Sequence, residues 1–318
     1  MRIAFVGKGG SGKTTLASLF ARYLASQNRY VLAVDADINQ HLGRALDFDE
    51  LALESVPKMG LEMDKIKEYI KGDNKFIEHY SEIIKTTPPA RGARFITPHT
   101  DNPIVNYFSI VKDGINLMCI GEMEEEDIGT KCYHSKTGAA ELFLNHLIDK
   151  NDHYIIFDMT AGADLFASGL FTKFDLTLVV VEPTLKSINV YRQYKKYAKD
   201  YDVVIKAVAN KINGDEDIKF IRDNIGDDLV AVLGLSDFVK AYERGKVLSW
   251  EELESGNLEA LFRIKQELDF SNRDWEKLYR YAIDFHIKNA ESWANKSLGI
   301  DLTKQIDPAF RISEIIGM

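Results

Sequence analysis

The chain has 318 residues, 45% of them apolar, enough to bury one large α/β core or two modest ones. Its 40 basic and 49 acidic residues leave a net charge of −9, which argues against a surface-wide nucleic-acid interface, and its two cysteines are too few for a disulfide framework. No stretch approaches the length of a membrane-spanning helix and the N-terminus runs straight into a strand without a signal-like pattern, so a cytoplasmic chain with buried or metal-ligating thiols at Cys119 and Cys132 is expected.

In chain order, residues 2–6 read as an apolar strand, followed at once by Gly7-Lys8-Gly9-Gly10-Ser11-Gly12-Lys13-Thr14-Thr15. Leu16, Leu19, Phe20, Tyr23 and Leu24 then recur at helical spacing. Strand, glycine turn and helix in that order make a phosphate nest: glycines let backbone N–H groups point inward, and the helix N-terminus adds positive partial charge. The spacing fits G-x-x-x-x-G-K-[ST], in which Lys13 reaches the β- and γ-phosphates of a nucleotide and the Thr14 hydroxyl ligates Mg²⁺.

Residues 30–34 form a second strand ending in Asp35-Ala36-Asp37-Ile38-Asn39-Gln40. Carboxylates at the carboxyl edge of an open α/β sheet lie where ligands bind, although one of the pair could equally cap a helix beside a solvated acid. The phosphate loop next door favours the ligand reading. Across residues 50–114 helical patterns cover 63–71 and 75–85, and the stretch from Thr86-Thr87-Pro88-Pro89 to Pro103 is loop-like, so this segment reads as an insertion or flap.

Residues 115–120 resume as a strand, and Gly121 opens a loop with Glu122, Glu124, Glu125, Glu126 and Asp127, read as a solvated acidic face. A helix over 137–150 feeds a strand over 154–157 that ends in Asp158-Met159-Thr160-Ala161-Gly162. An aspartate terminating a buried strand beside a phosphate loop is the usual water-mediated partner of the nucleotide's Mg²⁺, and a glycine shortly after can offer its N–H to a γ-phosphate.

Strands over 176–181 and 203–209, a helix over 187–199 between them, a strand over 229–233 and a helical stretch over 236–245 continue the alternation. Such alternation predicts an α/β fold: a doubly wound, mostly parallel sheet of P-loop NTPase type over residues 1–250. From residue 251 to 318 the patterns are only helical, an extension packed on the sheet, with Trp250, Trp275 and Trp293 as anchors. The last residues, with Phe310, Ile312, Ile315 and Ile316 but Arg311 as their only basic residue, read as packing or fraying rather than as a membrane-seeking helix. No fixed-period repeat or Gly/Ser/Pro-rich tether interrupts the chain.

Lys8, directly after the first glycine, makes the loop a deviant Walker A sequence, and the chain thereby resembles the MinD/ParA/NifH-type ATPases over most of residues 1–250. In that resemblance Asp35-Ala36-Asp37 corresponds to switch I, Asp158 to Gly162 to switch II, and Ala209-Asn210-Lys211 to the adenine-reading segment. It implies ATP held by Gly7, Gly9, Gly10, Ser11, Gly12, Lys13, Thr14, Thr15, Gly162, Asn210 and Lys211, with Mg²⁺ on Thr14 and Asp158. It also implies a homodimer closed by ATP, with Lys8 reaching the partner's phosphates, Lys13 stabilising transferred charge and Asp37 orienting the attacking water.

Within the group the likeness is closest to the CooC-type ATPases that help insert nickel into carbon monoxide dehydrogenase. Besides the two switches, Val179-Val180-Val181-Glu182-Pro183-Thr184 with Ser187, and Gly121 leading to Cys132-Tyr133-His134, carry it. That family has Cys-x-Cys where this chain has Cys132-x-His134; thiolate and imidazole both ligate zinc or nickel, and two such pairs across a dimer supply four ligands. The resemblance thus implies a metalloenzyme client. A positioning or partitioning ATPase acting on a membrane, DNA or a protein is the alternative, but the acidic totals and the sparsely basic terminus speak against membrane and nucleic acid. Transfer of phosphate to a small acceptor is a third reading, disfavoured by Lys8.

Overall fold

The computed structural model describes residues 1–122, 134–162, 164–246 and 248–317. The chain runs β1 (Arg2–Gly7), α1 (Lys13–Ser26), β2 (Tyr30–Ala36), α2 (Leu42–Ala45), α3 (Glu50–Ser55), α4 (Met63–Lys71), α5 (Pro103–Phe108), β3 (Ser109–Lys112) and β4 (Ile115–Cys119). It continues through α6 (His134–His146), β5 (His153–Met159), β6 (Leu176–Val181), α7 (Leu185–Ala198), β7 (Ile205–Ile212), α8 (Asp215–Ile225) and β8 (Leu229–Gly234). Helices α9 (Asp237–Glu243), α10 (Ser255–Asp269) and α11 (Trp275–Asn289) follow.

The eight strands form one sheet in the order β3-β4-β2-β5-β1-β6-β7-β8. All pairs are parallel except β3 with β4. The central strands are apolar along their whole length because a parallel sheet wound on both sides buries both faces. Period-two alternation divides β1 between two cores: Ala4 and Val6 join Leu142 and Phe143 of α6, Ile188 of α7 and Ile221 of α8, whereas Ile3 and Phe5 meet Leu16 and Phe20 of α1 and Leu261 and Ile264 of α10. Each fully buried large apolar side chain here contributes about 1.5–3 kcal/mol.

The helix expected over 75–85 is instead a single turn at Tyr80–Glu82. Asn74 accepts from the Phe76 N–H and His79 from the Ser81 N–H, and such local side-chain bonds satisfy the backbone outside a helix. In the 50–114 segment, Met59, Ile66, Ile70, Ile77, Ile83 and Ile96 are buried in the same core as the sheet. Strand β3 escapes the sequence pattern, yet its turn was signalled by Asp113-Gly114, both with positive φ (50° and 78°), the pairing that favours a tight hairpin. Helix α8 was also missed, although Asp215, Glu216 and Asp217 fill its first turn and Ile218, Ile221 and Ile225 face inward.

Beyond residue 250, Trp275 lies beneath the Arg273 and Arg2 guanidinium groups, at 4.9 and 5.3 Å from its ring centroid, whereas Trp293 is 48% exposed, its indole N–H donating to Asn289 at 3.1 Å. Phe310 and Ile312 are buried, Phe310 against Phe95 and Tyr279. Among the described residues no helix is long and apolar enough to cross a membrane.

The helical extension is tied to the sheet by buried charge. Arg273 reaches Asp149 at 2.7 Å and donates through Nε to Asp175 at 2.9 Å, while Arg2 of β1 donates to Asp149 at 2.8 Å. Burial alone would raise both carboxyls, yet the neighbouring guanidinium groups hold them below the usual carboxylate range. Removing one member of such a buried network strands the others, so Arg273→Ala is expected to lower the urea-unfolding free energy by about 3–5 kcal/mol. Because both carboxyl pKa values are lowered on folding, the deficit is full above about pH 4 and shrinks on acidification from there.

Candidate functional site

The carboxyl ends of β1, β2, β5, β6 and β7 meet at one edge of the sheet. At the end of β1, Gly7 has φ +147°, and a Cβ there would lie 2.6 Å from the Val180 carbonyl oxygen, so this strand exit accepts only glycine. Gly12, which precedes α1, has φ +94°, and a Cβ on it would strike the Asn210 amide nitrogen at 2.2 Å. Between them the Ser11 N–H bonds the Lys8 carbonyl at 3.1 Å, closing the loop over the N-terminus of α1. Ser11 and Lys13 are buried; Lys8 and Thr15 lie nearer solvent, and Gly9 and Gly10 are exposed at the loop's crest.

Strand pairing brings the acids to this loop. Asp158 is in register with Phe5 on one side and with Asp35 on the other, because β5 lies between β1 and β2. The Thr14 hydroxyl donates to Asp158 Oδ2 at 2.5 Å, while Asp158 Oδ1, also buried, has no hydrogen-bond partner among the described residues. Burial pushes the Asp158 carboxyl up to about 7 and the Asp37 charge adds to this, against the Thr14 hydrogen bond and the Lys13 charge. Asp35 is likewise raised well above the carboxylate range, first by burial and then by Asp158, although it accepts from the N–H groups of Leu42 (2.8 Å) and Asp37 (3.3 Å). Asp35 thereby fastens the segment after β2 to the sheet. Asp37 Oδ1 accepts two bonds from Asn39, both 2.9 Å.

The loops are also tied to one another. The Gly162 N–H bonds the Gly7 carbonyl at 3.1 Å, and Tyr194 of α7 donates to the Gly162 carbonyl at 2.6 Å. Asn210 donates to the Ser11 carbonyl at 2.8 Å, and Lys211, with φ +60°, donates to the Gly10 carbonyl at 2.5 Å. Glu182, just past β6, pairs with Lys211 at 2.9 Å and with Lys8 at 3.6 Å. The sequence pattern did not single out this role of Glu182, nor that of Tyr194; an acid directly after a buried apolar strand beside the phosphate strand is the signal that could have found the first.

The structure therefore gathers Gly7, Lys8, Gly9, Gly10, Ser11, Gly12, Lys13, Thr14, Thr15, Asp37, Asp158, Gly162, Asn210 and Lys211 at one sheet edge. It places Lys8 back on Glu182 of the same chain. Cys132 lies outside the described residues, and His134 is the first residue of α6. Cys119 is a buried free thiol next to Asp35 in strand register, and burial pushes it up to about 12. Of the acidic loop, Glu122 is exposed and the rest lies outside the described residues.

Chemically, an inward-facing backbone nest beside a lysine and a helix N-terminus suits a polyphosphate. Mg²⁺ is tested by the acids: burial holds Asp35 and Asp158 toward protonation, with the Asp158 charge adding at Asp35 and the Asp37 charge at Asp158, and an orphaned carboxylate oxygen lies buried in the site, so a divalent cation would relieve both. Among the described residues no three His, Cys, Asp or Glu side chains converge to hold a metal alone.

Comparison with known proteins agrees with this chemistry. The family described as the CobQ/CobB/MinD/ParA nucleotide binding domain matches residues 3–248. An uncharacterized ATP-binding protein of Methanocaldococcus jannaschii is 30% identical over 269 residues, 82% of this chain and 96% of that one. The carbon monoxide dehydrogenase accessory protein CooC of Rhodospirillum rubrum is 26% identical over 244 residues, covering 76% of this chain and 86% of that protein. Among solved structures, the cell division ATPase MinD of Pyrococcus furiosus shares the fold, with a TM-score of 0.53 and 16% identity over 84% of this chain and 98% of that one.

The raised Asp158 has a consequence for stability. Between about pH 4 and about 7 the folded protein binds a proton at Asp158 that the unfolded chain has released, so rising pH destabilises the nucleotide-free fold. Asp158→Asn removes that term while keeping an acceptor for Thr14. In EDTA its melting temperature is expected to exceed that of the wild type at pH 8, and the gap to narrow by more than half at pH 5; an equal gap at both values would exclude a buried, proton-holding Asp158.

Proposed function

We propose that this chain, which belongs to the CobQ/CobB/MinD/ParA nucleotide-binding family, is an Mg²⁺-dependent ATPase that works as a dimeric switch on a client protein. The observation that carries this reading is the Thr14–Asp158 hydrogen bond beneath the glycine loop, with a second buried carboxylate oxygen left open beside Lys13. Thr14 and, through water, Asp158 would hold Mg²⁺, which supplies charge neutralisation for the phosphates. Lys13 binds the β- and γ-phosphates and stabilises charge on the transferred group, and Asp37, its carboxylate oriented by Asn39, positions the attacking water.

Binding of a γ-phosphate competes with the contact of Gly162 on Gly7, because the Gly162 N–H is the donor such a phosphate would take. Lys8 then leaves Glu182 and reaches the phosphates of a second subunit. Asn210 and Lys211, now braced on the loop carbonyls, contribute to the adenine pocket. Hydrolysis reverses these steps, so the ATPase times an interaction with another protein.

Supporting a maturation role for that client are the likeness to a carbon monoxide dehydrogenase accessory protein and the Cys132-x-His134 pair, which would bind Zn²⁺ or Ni²⁺ between subunits. The alternative, a MinD- or ParA-like positioning ATPase, draws equally on the family match and on the shared fold.

For the hydrolytic core, Lys13→Ala is expected to bind ATP roughly 10- to 100-fold more weakly, matching about 1.5–3 kcal/mol for charge-assisted contacts. Asp37→Ala keeps affinity and accumulates an ATP-bound dimer, while Lys8→Ala binds ATP but stays monomeric; calorimetry and light scattering read all three. Unchanged turnover in the Asp37 variant would mean that another carboxylate serves the water. For the metal, elemental analysis of the ATP-bound dimer is expected to find about one zinc or nickel per dimer, lost in the Cys132→Ala, His134→Ala double variant. Metal retained in that variant, or none in the wild type, removes the metal role and leaves the ATPase.

A further inference from the structure

The segment between β2 and α2 carries two side-chain amides, and they do different work. Asn39 gives its backbone and side-chain N–H groups to Asp37 Oδ1, both at 2.9 Å. Gln40 sits in the left-handed region, at φ +51°, and pins the Asp37 carbonyl twice, through its backbone N–H at 3.2 Å and through Nε2 at 2.6 Å. The same Nε2 lies 3.2 Å from the Asp35 carbonyl and 3.4 Å from Asp35 Oδ1.

Two of these neighbours are backbone carbonyl oxygens, which only accept, so the amide cannot be turned over. Its nitrogen faces Asp35 and Asp37, and Oε1, on the same carbon, faces away from those carbonyls. That oxygen is buried and has no hydrogen-bond partner among the described residues. A buried acceptor left unpaired is costly, and each such group marks a place where a donor from outside the chain is due. Phosphate oxygens cannot fill it, because they accept as Oε1 does. A water molecule can.

We infer that Gln40, together with Asp37, positions the attacking water of ATP hydrolysis. One water O–H points to the Asp37 carboxylate and the other to Gln40 Oε1, which leaves a lone pair for the γ-phosphorus. As the water oxygen bonds to phosphorus, the bond from phosphorus to the β,γ-bridging oxygen breaks and its electron pair stays with ADP. One water proton remains on the released phosphate, and the other leaves through Asp37 to solvent. A single hydrogen bond leaves a water free to turn, and the second one fixes it. Both contacts come from one short segment, tied within itself at 2.6 Å, so a movement of that segment carries them together. This inference rests on the reading of the chain as an ATPase in which Asp37 stands beside the water.

Two substitutions divide the amide. Gln40→Lys keeps an N–H donor for the Asp35 and Asp37 carbonyls but has no acceptor, and Gln40→Met has neither. Both are compared with the wild type and Asp37→Ala in single-turnover ATP hydrolysis. They are also titrated with ADP–beryllium fluoride, which mimics bound ATP, and with ADP–aluminium fluoride, which captures a water in line. Gln40→Lys is expected to keep the wild-type melting temperature and, within about threefold, the beryllium fluoride affinity. Its hydrolysis and aluminium fluoride affinity both fall about 10- to 100-fold, as for one hydrogen bond made only in the transition state. If Gln40→Lys melts below the wild type, the same comparison is read from Gln40→Met.

Hydrolysis by Gln40→Lys within about threefold of the wild type overturns the inference. So does equal weakening of both fluoride complexes, which is what a merely misfolded loop produces. A higher Mg²⁺ requirement for nucleotide binding in Gln40→Met also overturns it, assigning Oε1 to the metal. If Asp37→Ala turns over as the wild type does, the reading beneath fails and the role of Gln40 with it. If Asp37→Ala stalls and Gln40→Lys does not, only the role of Gln40 fails.

Discussion

Three aspartates, Asp35, Asp37 and Asp158, are buried together at the carboxyl edge of a parallel sheet, and much of the site follows from the difficulty of keeping them there. Burial drives Asp35 and Asp158 toward the protonated form, the Asp158 charge adding at Asp35 and the Asp37 charge at Asp158, and Lys13 counters them at Asp158. Leu42 and Asp37 spend backbone N–H groups on Asp35, and Thr14 spends its hydroxyl on Asp158. What remains, a carboxylate oxygen with no partner, is the feature of a site completed by a divalent cation and phosphate oxygens rather than by protein alone. The strand order is the cause: β5 lies between β1 and β2, so its terminal aspartate falls between the glycine loop and the segment after β2.

Around this centre the loops hold one another instead of standing free. Glu182 draws Lys8 and Lys211 to one side, Asn210 and Lys211 brace the loop from β7, and Gly162 closes on Gly7 with Tyr194 behind it. Among these groups the Gly162 N–H and the Lys8 and Lys211 ammonium groups are donors of the kind that suit an anion. Exchange of one partner set for another is how a small ligand moves several loops at once, since each displaced contact frees a segment bound to a different strand.

The other end of the sheet is built for the opposite purpose. Arg2, Asp149, Asp175 and Arg273 satisfy one another in a buried network beneath Trp275, which pins the start of α11 to the first strand. The helical extension also supplies α10, whose Leu261, Ile264 and Leu268 cover one face of the sheet. Asn257 of α10 also accepts from the Gly234 N–H at 2.9 Å, which fastens the helix to the end of β8. One set of helices thus stabilises the sheet away from the phosphate loop.

Strand and helix alternation, the glycine loop and Asp158 were legible in the sequence because each is a local signal: apolar runs of strand length, a fixed glycine–lysine spacing, an acid at the end of a buried strand. Helix 63–71 and strand 176–181 were read to the residue for the same reason. The turn at Tyr80–Glu82, the β3 hairpin and α8 were misread or missed where short segments depend on capping and on the partner they pack against. No local pattern could say that Lys8 rests on Glu182, that Asn210 abuts Gly12, that Asp35 and Asp158 share a field, or that β8 closes the sheet. Those facts are pairings between residues from 22 to 199 positions apart, and they are decided by strand order and by the loops it brings together.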